Sequence, residues 1–120
     1  MLKGISLFSN VGIAETYLHS YVNMFVANEL LSIRAKFYQE MYPNTKMIQG
    51  NILDKEIFNK ITNIALENKC DFLIATPPCQ GMSIAGKQDK NDSRNILITK
   101  VVEAIKIIKP KYFLIENVLA

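Results

Sequence analysis

Cys79 is the residue of this chain best set to act as a covalent nucleophile. It follows Thr76-Pro77-Pro78, and those residues follow the apolar run Asp71–Ala75, which reads as a buried strand. The two prolines stop the strand and fix the chain direction, because each locks φ and lacks an N–H donor. A cysteine at such a rigid strand-to-loop junction suits a thiolate that must meet its target atom at a set angle. The alternative for any free cysteine is a small buried hydrophobe, and that is the reading for Cys70. Two carboxylates also end apolar runs. Glu116 follows Tyr112-Phe113-Leu114-Ile115, where an apolar setting would favour its protonated, proton-donating form. Glu29 lies about 20 residues beyond the turn Ser9-Asn10-Val11-Gly12, a spacing at which a carboxylate accepts hydrogen bonds from ribose hydroxyls.

The elements that must position these groups alternate along the chain. Strands are expected over Gly4–Ser9, Asn23–Asn28, Lys46–Gln49, Asp71–Ala75 and Lys111–Glu116. Helical patterns separate them. Ile13–Tyr21 carries Ile13, Tyr17, Leu18 and Tyr21 on one face, and Ser32–Met41 carries Ile33, Phe37 and Met41. Lys55–Glu67 turns Ile57, Ile61, Ile64 and Ala65 inward, and Arg94–Lys109 does the same with Leu97, Val101, Ile105 and Ile108. Pro43 and Pro110 end the second and fourth helices. This alternation predicts βαβ units and an α/β, Rossmann-like, doubly wound, mostly parallel sheet. Gly81–Ser93, with two glycines and the polar run Lys87–Asp92, reads as a long loop directly after Cys79, and such loops often act as lids.

Four segments in order resemble the cytosine C5 methyltransferases. Leu7-Phe8-Ser9-Asn10-Val11-Gly12 resembles that family's first, cofactor-binding motif. Pro78-Cys79-Gln80 resembles its nucleophile loop, Asp92-Ser93-Arg94 a later segment, and Glu116-Asn117-Val118 its Glu-Asn-Val motif. The resemblance runs over nearly the whole chain and implies S-adenosylmethionine as cofactor. The turn lacks the Gly-x-Gly-x-x-Gly pattern that would cradle a dinucleotide.

By resemblance, Phe8, Ser9, Asn10, Val11, Gly12, Glu29, Leu30, Asn51, Ile52, Pro78 and Leu97 bind the cofactor. Glu29 takes the ribose, Leu30 packs on adenine, Asn51 faces the adenine amino group, and Ile52 and Leu97 form apolar walls. The chain departs from the family at Asn10 and Ile13, where glycine is usual, and at Asn51, where aspartate is usual. The resemblance further implies that Cys79 adds to cytosine C6, Glu116 donates a proton at N3, and Asn117 orients the loop. Gln80, Ser83, Lys87 and Arg94 would meet DNA holding a flipped cytosine. Arg94 could instead order its own loop by pairing with Asp92.

Competing readings are an amino-methyltransferase, which carries an aromatic residue where Cys79 stands, a tRNA cytosine methyltransferase, and a non-catalytic cofactor-binding fragment. The family's target-recognition region and later motifs are not in these residues. The expectation is therefore an incomplete catalytic domain of a restriction-modification enzyme, completed by a second polypeptide or truncated, and inactive alone. Its last strand should then leave apolar residues exposed.

Composition sets bounds on all of this. At 120 residues the chain is one domain at most, and 49% hydrophobic content permits a packed core. A net charge of +3 permits nucleic-acid contact without arguing for it. Two cysteines and one histidine form no metal-site pattern, and no signal-peptide or membrane-spanning run is present, which places the expected protein in the cytoplasm.

Overall fold

The computed structural model describes residues 1–78 and 95–116. Five strands form one sheet: β1 (Leu2–Leu7), β2 (Val22–Glu29), β3 (Lys46–Gln49), β4 (Phe72–Ala75) and β5 (Tyr112–Ile115). Every pairing is parallel and the order is β3-β2-β1-β4-β5. The order reverses between β1 and β4, which opens a crevice beyond the carboxyl ends of the strands.

Helices cover both faces. On one face α2 (Lys55–Glu67) and α3 (Asn95–Ile108) bury Phe58, Ile61, Ala65, Val101, Ala104 and Ile108 against Ile5, Leu7, Val26 and Leu73. The apolar periods of both helices are obeyed, and the Asp54 side chain caps α2 by accepting from the Glu56 N–H at 3.0 Å. The other face carries a 3₁₀-helix (Ile13–Ser20) and α1 (Ser32–Met41).

These last two elements occupy the expected spans with a different face inward. Ile13, Tyr17 and Tyr21, read as part of one apolar helical face, are 77%, 88% and 73% exposed, and Glu15 is buried instead. The cause is the tighter winding. A period of three aligns Gly12, Glu15 and Leu18, whereas the expected stripe assumes the α-helical repeat. In α1 the expected stripe of Ile33, Phe37 and Met41 is also exposed, and Ala35 and Tyr38 are buried.

The β1–β2 register shifts between Gly4 and Ile5, whose partners are Met24 and Val26. Phe25 is the extra residue. It reverses the side-chain alternation of β2, so that Val22 and Met24 pack on one face of the sheet and Val26 on the other. On β5, Tyr112, Phe113 and Leu114 are all about half exposed, as expected for the last strand. Among the described residues no helix is long and apolar enough to cross a membrane, and no group of three or more His, Cys, Asp or Glu could hold a metal ion.

Candidate functional site

A cleft of about 360 Å³ opens at the switch point. Its walls are strand ends. Phe8 and Asn10 follow β1; Asn28, Glu29, Leu30 and Leu31 end β2; Gly50, Asn51 and Ile52 follow β3; Thr76 and Pro78 follow β4. Arg34 of α1 and Leu97 of α3 complete the lining.

Glu29 is the centre of this arrangement. It is buried, and both carboxylate oxygens are engaged: Oε1 accepts the Asn10 N–H at 3.0 Å and Oε2 accepts the Leu31 N–H at 2.8 Å. The carboxylate thus ties the turn after β1 to the end of β2, and each oxygen keeps lone-pair capacity for a hydroxyl in the cleft. Asn28 lies beneath, donating from Nδ2 to the carbonyls of Ile48 at 2.7 Å and Gly50 at 3.1 Å. The Asn51 side-chain oxygen Oδ1 accepts the Leu53 N–H at 2.9 Å.

The turn after β1 is held in an uncommon backbone conformation. Phe8, Asn10 and Gly12 all have positive φ, at 54°, 53° and 86°. Such strain persists only where surroundings enforce it. Here the Thr76 hydroxyl donates to the Phe8 carbonyl at 2.7 Å, and every N–H from Ser9 to Gly12 is spent within the protein. Ser9 donates to the Asn28 carbonyl, Asn10 to Glu29, Val11 to the Asn10 side chain and Gly12 to the Ser9 carbonyl. The lining therefore includes Phe8, Asn10, Glu29, Leu30, Asn51, Ile52, Pro78 and Leu97 from the sequence-derived set, and it leaves out Ser9, Val11 and Gly12.

Gly12 faces the protein rather than the cleft. An added Cβ would lie 2.5 Å from Tyr42 Cε2 and 2.9 Å from Tyr38 Cδ2. A Gly12→Ala variant combines this overpacking with a left-handed backbone, and is expected to lose about 3 kcal/mol of stability. Thermal denaturation should show its midpoint roughly 10 °C lower in a domain of this size. A midpoint equal to that of the wild type would contradict this packing.

The support behind the turn is polar and dry. The Glu15 carboxylate is only 2% exposed and accepts hydrogen bonds from the hydroxyls of Ser6 and Tyr38, with His19 Nε2 at 3.0 Å. Burial first, and then the adjacent Glu15 charge, push the Tyr38 phenol well above its ordinary pKa, so it stays a donor. Cys70 is buried, donates from Sγ to the Phe72 carbonyl at 3.2 Å, and has its pKa pushed up to about 11, chiefly by burial. An inert thiol fits its reading as a core residue.

Cys79, Gln80, Ser83, Lys87, Arg94 and Asn117 lie outside the described residues. Glu116 is described, and its N–H donates to the Ala75 carbonyl at 3.0 Å, so the ends of β4 and β5 run side by side. The described surroundings leave it exposed, so the apolar setting expected for it is not supplied by these residues. Sequence reasoning missed Asn28, Leu31, Arg34, Gly50 and Thr76. The signal for most of them was available, since each but Arg34 adjoins a strand end at the crevice.

The C-5 cytosine-specific DNA methylase family model matches residues 2–120. M1.HgaI, a type II methyltransferase of Avibacterium volantium, is 54% identical over 123 residues, covering 98% of this chain and 34% of that protein. A solved prophage-encoded protein of E. coli superposes with a TM-score of 0.77 at 25% identity, over 99% of this chain and 32% of that one. DNMT2 of Spodoptera frugiperda shares the fold, with a TM-score of 0.70 at 22% identity over 98% of this chain and 36% of that one. The chain thus spans about a third of the length of these three proteins. With its sheet order, its switch-point cleft and a family match over nearly every residue, the chain belongs to the C-5 cytosine-specific DNA methylase family.

Proposed function

We propose that this chain is the cofactor-binding and nucleophile-bearing part of a DNA cytosine-5 methyltransferase of the type II restriction-modification kind, with S-adenosylmethionine as methyl donor. One observation carries the reading: Pro78, the residue immediately before Cys79, lines the same cleft as Glu29. A cofactor held there lies next to the proposed nucleophile.

The cleft suits the cofactor. Its volume lies in the range of small-molecule sites. Glu29 offers acceptor oxygens to a ribose diol, and Leu30, Ile52 and Leu97 offer apolar walls to a base. When bound, S-adenosylmethionine supplies an electrophilic methyl group. The chain's own residues then act on the cytosine. The Cys79 thiolate forms a bond to C6 as Glu116 gives a proton to N3, which leaves C5 electron-rich. After C5 is methylated, loss of the C5 proton to a base, departure of the thiolate and return of the N3 proton to the Glu116 carboxylate restore the neutral aromatic ring and the starting state of both residues. Gln80, Ser83, Lys87 and Arg94 contact the DNA around the flipped base, and Asn117 holds the loop beside Glu116.

Target recognition belongs to the two thirds of the relatives' length beyond the matched part, in the same polypeptide or in a second one. The uncovered apolar side chains of β5 support such a neighbour. The assembled enzyme is expected to form a covalent complex with DNA containing 5-fluorocytosine in the presence of S-adenosylmethionine. The complex should survive a denaturing gel, and the adduct should map to Cys79; this chain by itself should give none. Methyl transfer to DNA without any trapped adduct would instead indicate an amino-methyltransferase.

A further inference from the structure

Glu15 is a buried carboxylate that the proposed chemistry does not use. A carboxylate in the dry interior is costly unless its lone pairs are satisfied. Here they are, by groups from separate elements: Ser6 on β1, Tyr38 on α1, and His19 one turn along the 3₁₀-helix. The arrangement encloses Gly12. The rings of Tyr38 and Tyr42 fill the space that a Cβ at Gly12 would need, the Tyr42 hydroxyl donates to its carbonyl at 3.2 Å, and the His19 ring stacks on Tyr42 at 3.7 Å and 6°. No side chain caps the 3₁₀-helix at Gly12, so its start is held by these contacts and by the Gly12 N–H to the Ser9 carbonyl. Two residues before Gly12, the Asn10 N–H is delivered to Glu29.

We propose that Glu15, with Tyr38, is a positioning residue for the cofactor. It pins the 3₁₀-helix to β1 and α1, and so holds the turn in the strained form that presents Asn10 to Glu29. Without the carboxylate, the Ser6 and Tyr38 hydroxyls lose their acceptor in a site closed to water. The segment must then shift to rehydrate them, and the Asn10–Glu29 bond goes with it. The inference rests on the cofactor reading given above.

The test titrates S-adenosylhomocysteine into the 120-residue chain by calorimetry, with amide hydrogen exchange as a second readout. Tyr38→Phe keeps the ring against Gly12 and removes one donor; it is expected to weaken binding about tenfold, as for the loss of one hydrogen bond to a charged group. Glu15→Leu should weaken it further. The Asn10 amide should exchange faster in both variants while the amides of α2 stay protected. Thr62→Val serves as the control for stability. Thr62 is buried on α2 across the sheet, its hydroxyl donating to Phe58, and its loss should lower the melting temperature without changing affinity. Unchanged affinity and unchanged Asn10 exchange in Tyr38→Phe would overturn the positioning role, even if Glu15→Leu fails to fold. Equal weakening in Thr62→Val would also overturn it. A wild-type chain that does not bind S-adenosylhomocysteine would remove the cofactor reading itself.

Discussion

Cys79→Ala is expected to abolish DNA methylation by the assembled enzyme, with a loss on the order of 10⁴-fold or more, as for removal of a covalent nucleophile. The substitution removes the atom that bonds C6, and the other cysteine of the sequence, Cys70, is not suited to take its place. Cys70 is buried, and its thiol is held protonated to about pH 11. Binding should survive, because the cleft residues are untouched. Calorimetry with S-adenosylhomocysteine should therefore give the wild-type affinity, and transfer of a radiolabelled methyl group to DNA should fall to background. Methylation at a wild-type rate would remove the covalent reading, and with it the assignment of cytosine C5 as the target.

Glu29→Gln is expected to have the second largest effect. The native carboxylate faces two backbone N–H groups, from Asn10 and Leu31, and accepts from both. An amide has a single oxygen, so its NH₂ must oppose one of those donors in a position that is 6% exposed. The mismatch should cost about 2 kcal/mol of stability, the usual range for a buried polar group left without its partner. Cofactor affinity should fall more, on the order of 100-fold, because the turn loosens and the ribose loses a charged acceptor at the same time. Thermal denaturation and calorimetry separate the two effects. Full affinity in the variant would place the ribose elsewhere in the cleft. Glu29→Asp, which keeps the charge on a shorter arm, should recover part of the affinity if charge outweighs reach.

Much of this molecule can be read from local pattern. The strands lie where the apolar runs predict them, and the helices α2 and α3 follow the helical period, with their expected inward residues buried or half-buried. The alternation of strand and helix implies a parallel sheet, and a parallel sheet with helices on both faces places ligands at its carboxyl edge. Glu29 can be placed there from its spacing after the first turn, whereas Asn51, Ile52 and Pro78, also next to strand ends, are named through the resemblance to the C5 methyltransferases. Contacts distant in sequence decided the rest. Glu15 is inside and Tyr17 outside because a 3₁₀ winding follows a three-residue repeat, and because Ser6 and Tyr38 wait to bond a carboxylate; neither fact is visible in the segment itself. Gly12 is a glycine for the sake of two tyrosines 26 and 30 residues further on. The bulge at Phe25 turns β2 over midway, which local alternation cannot anticipate. Periodicity reports which side chains avoid water, whereas the partner that satisfies a buried polar atom is chosen only when separate elements meet.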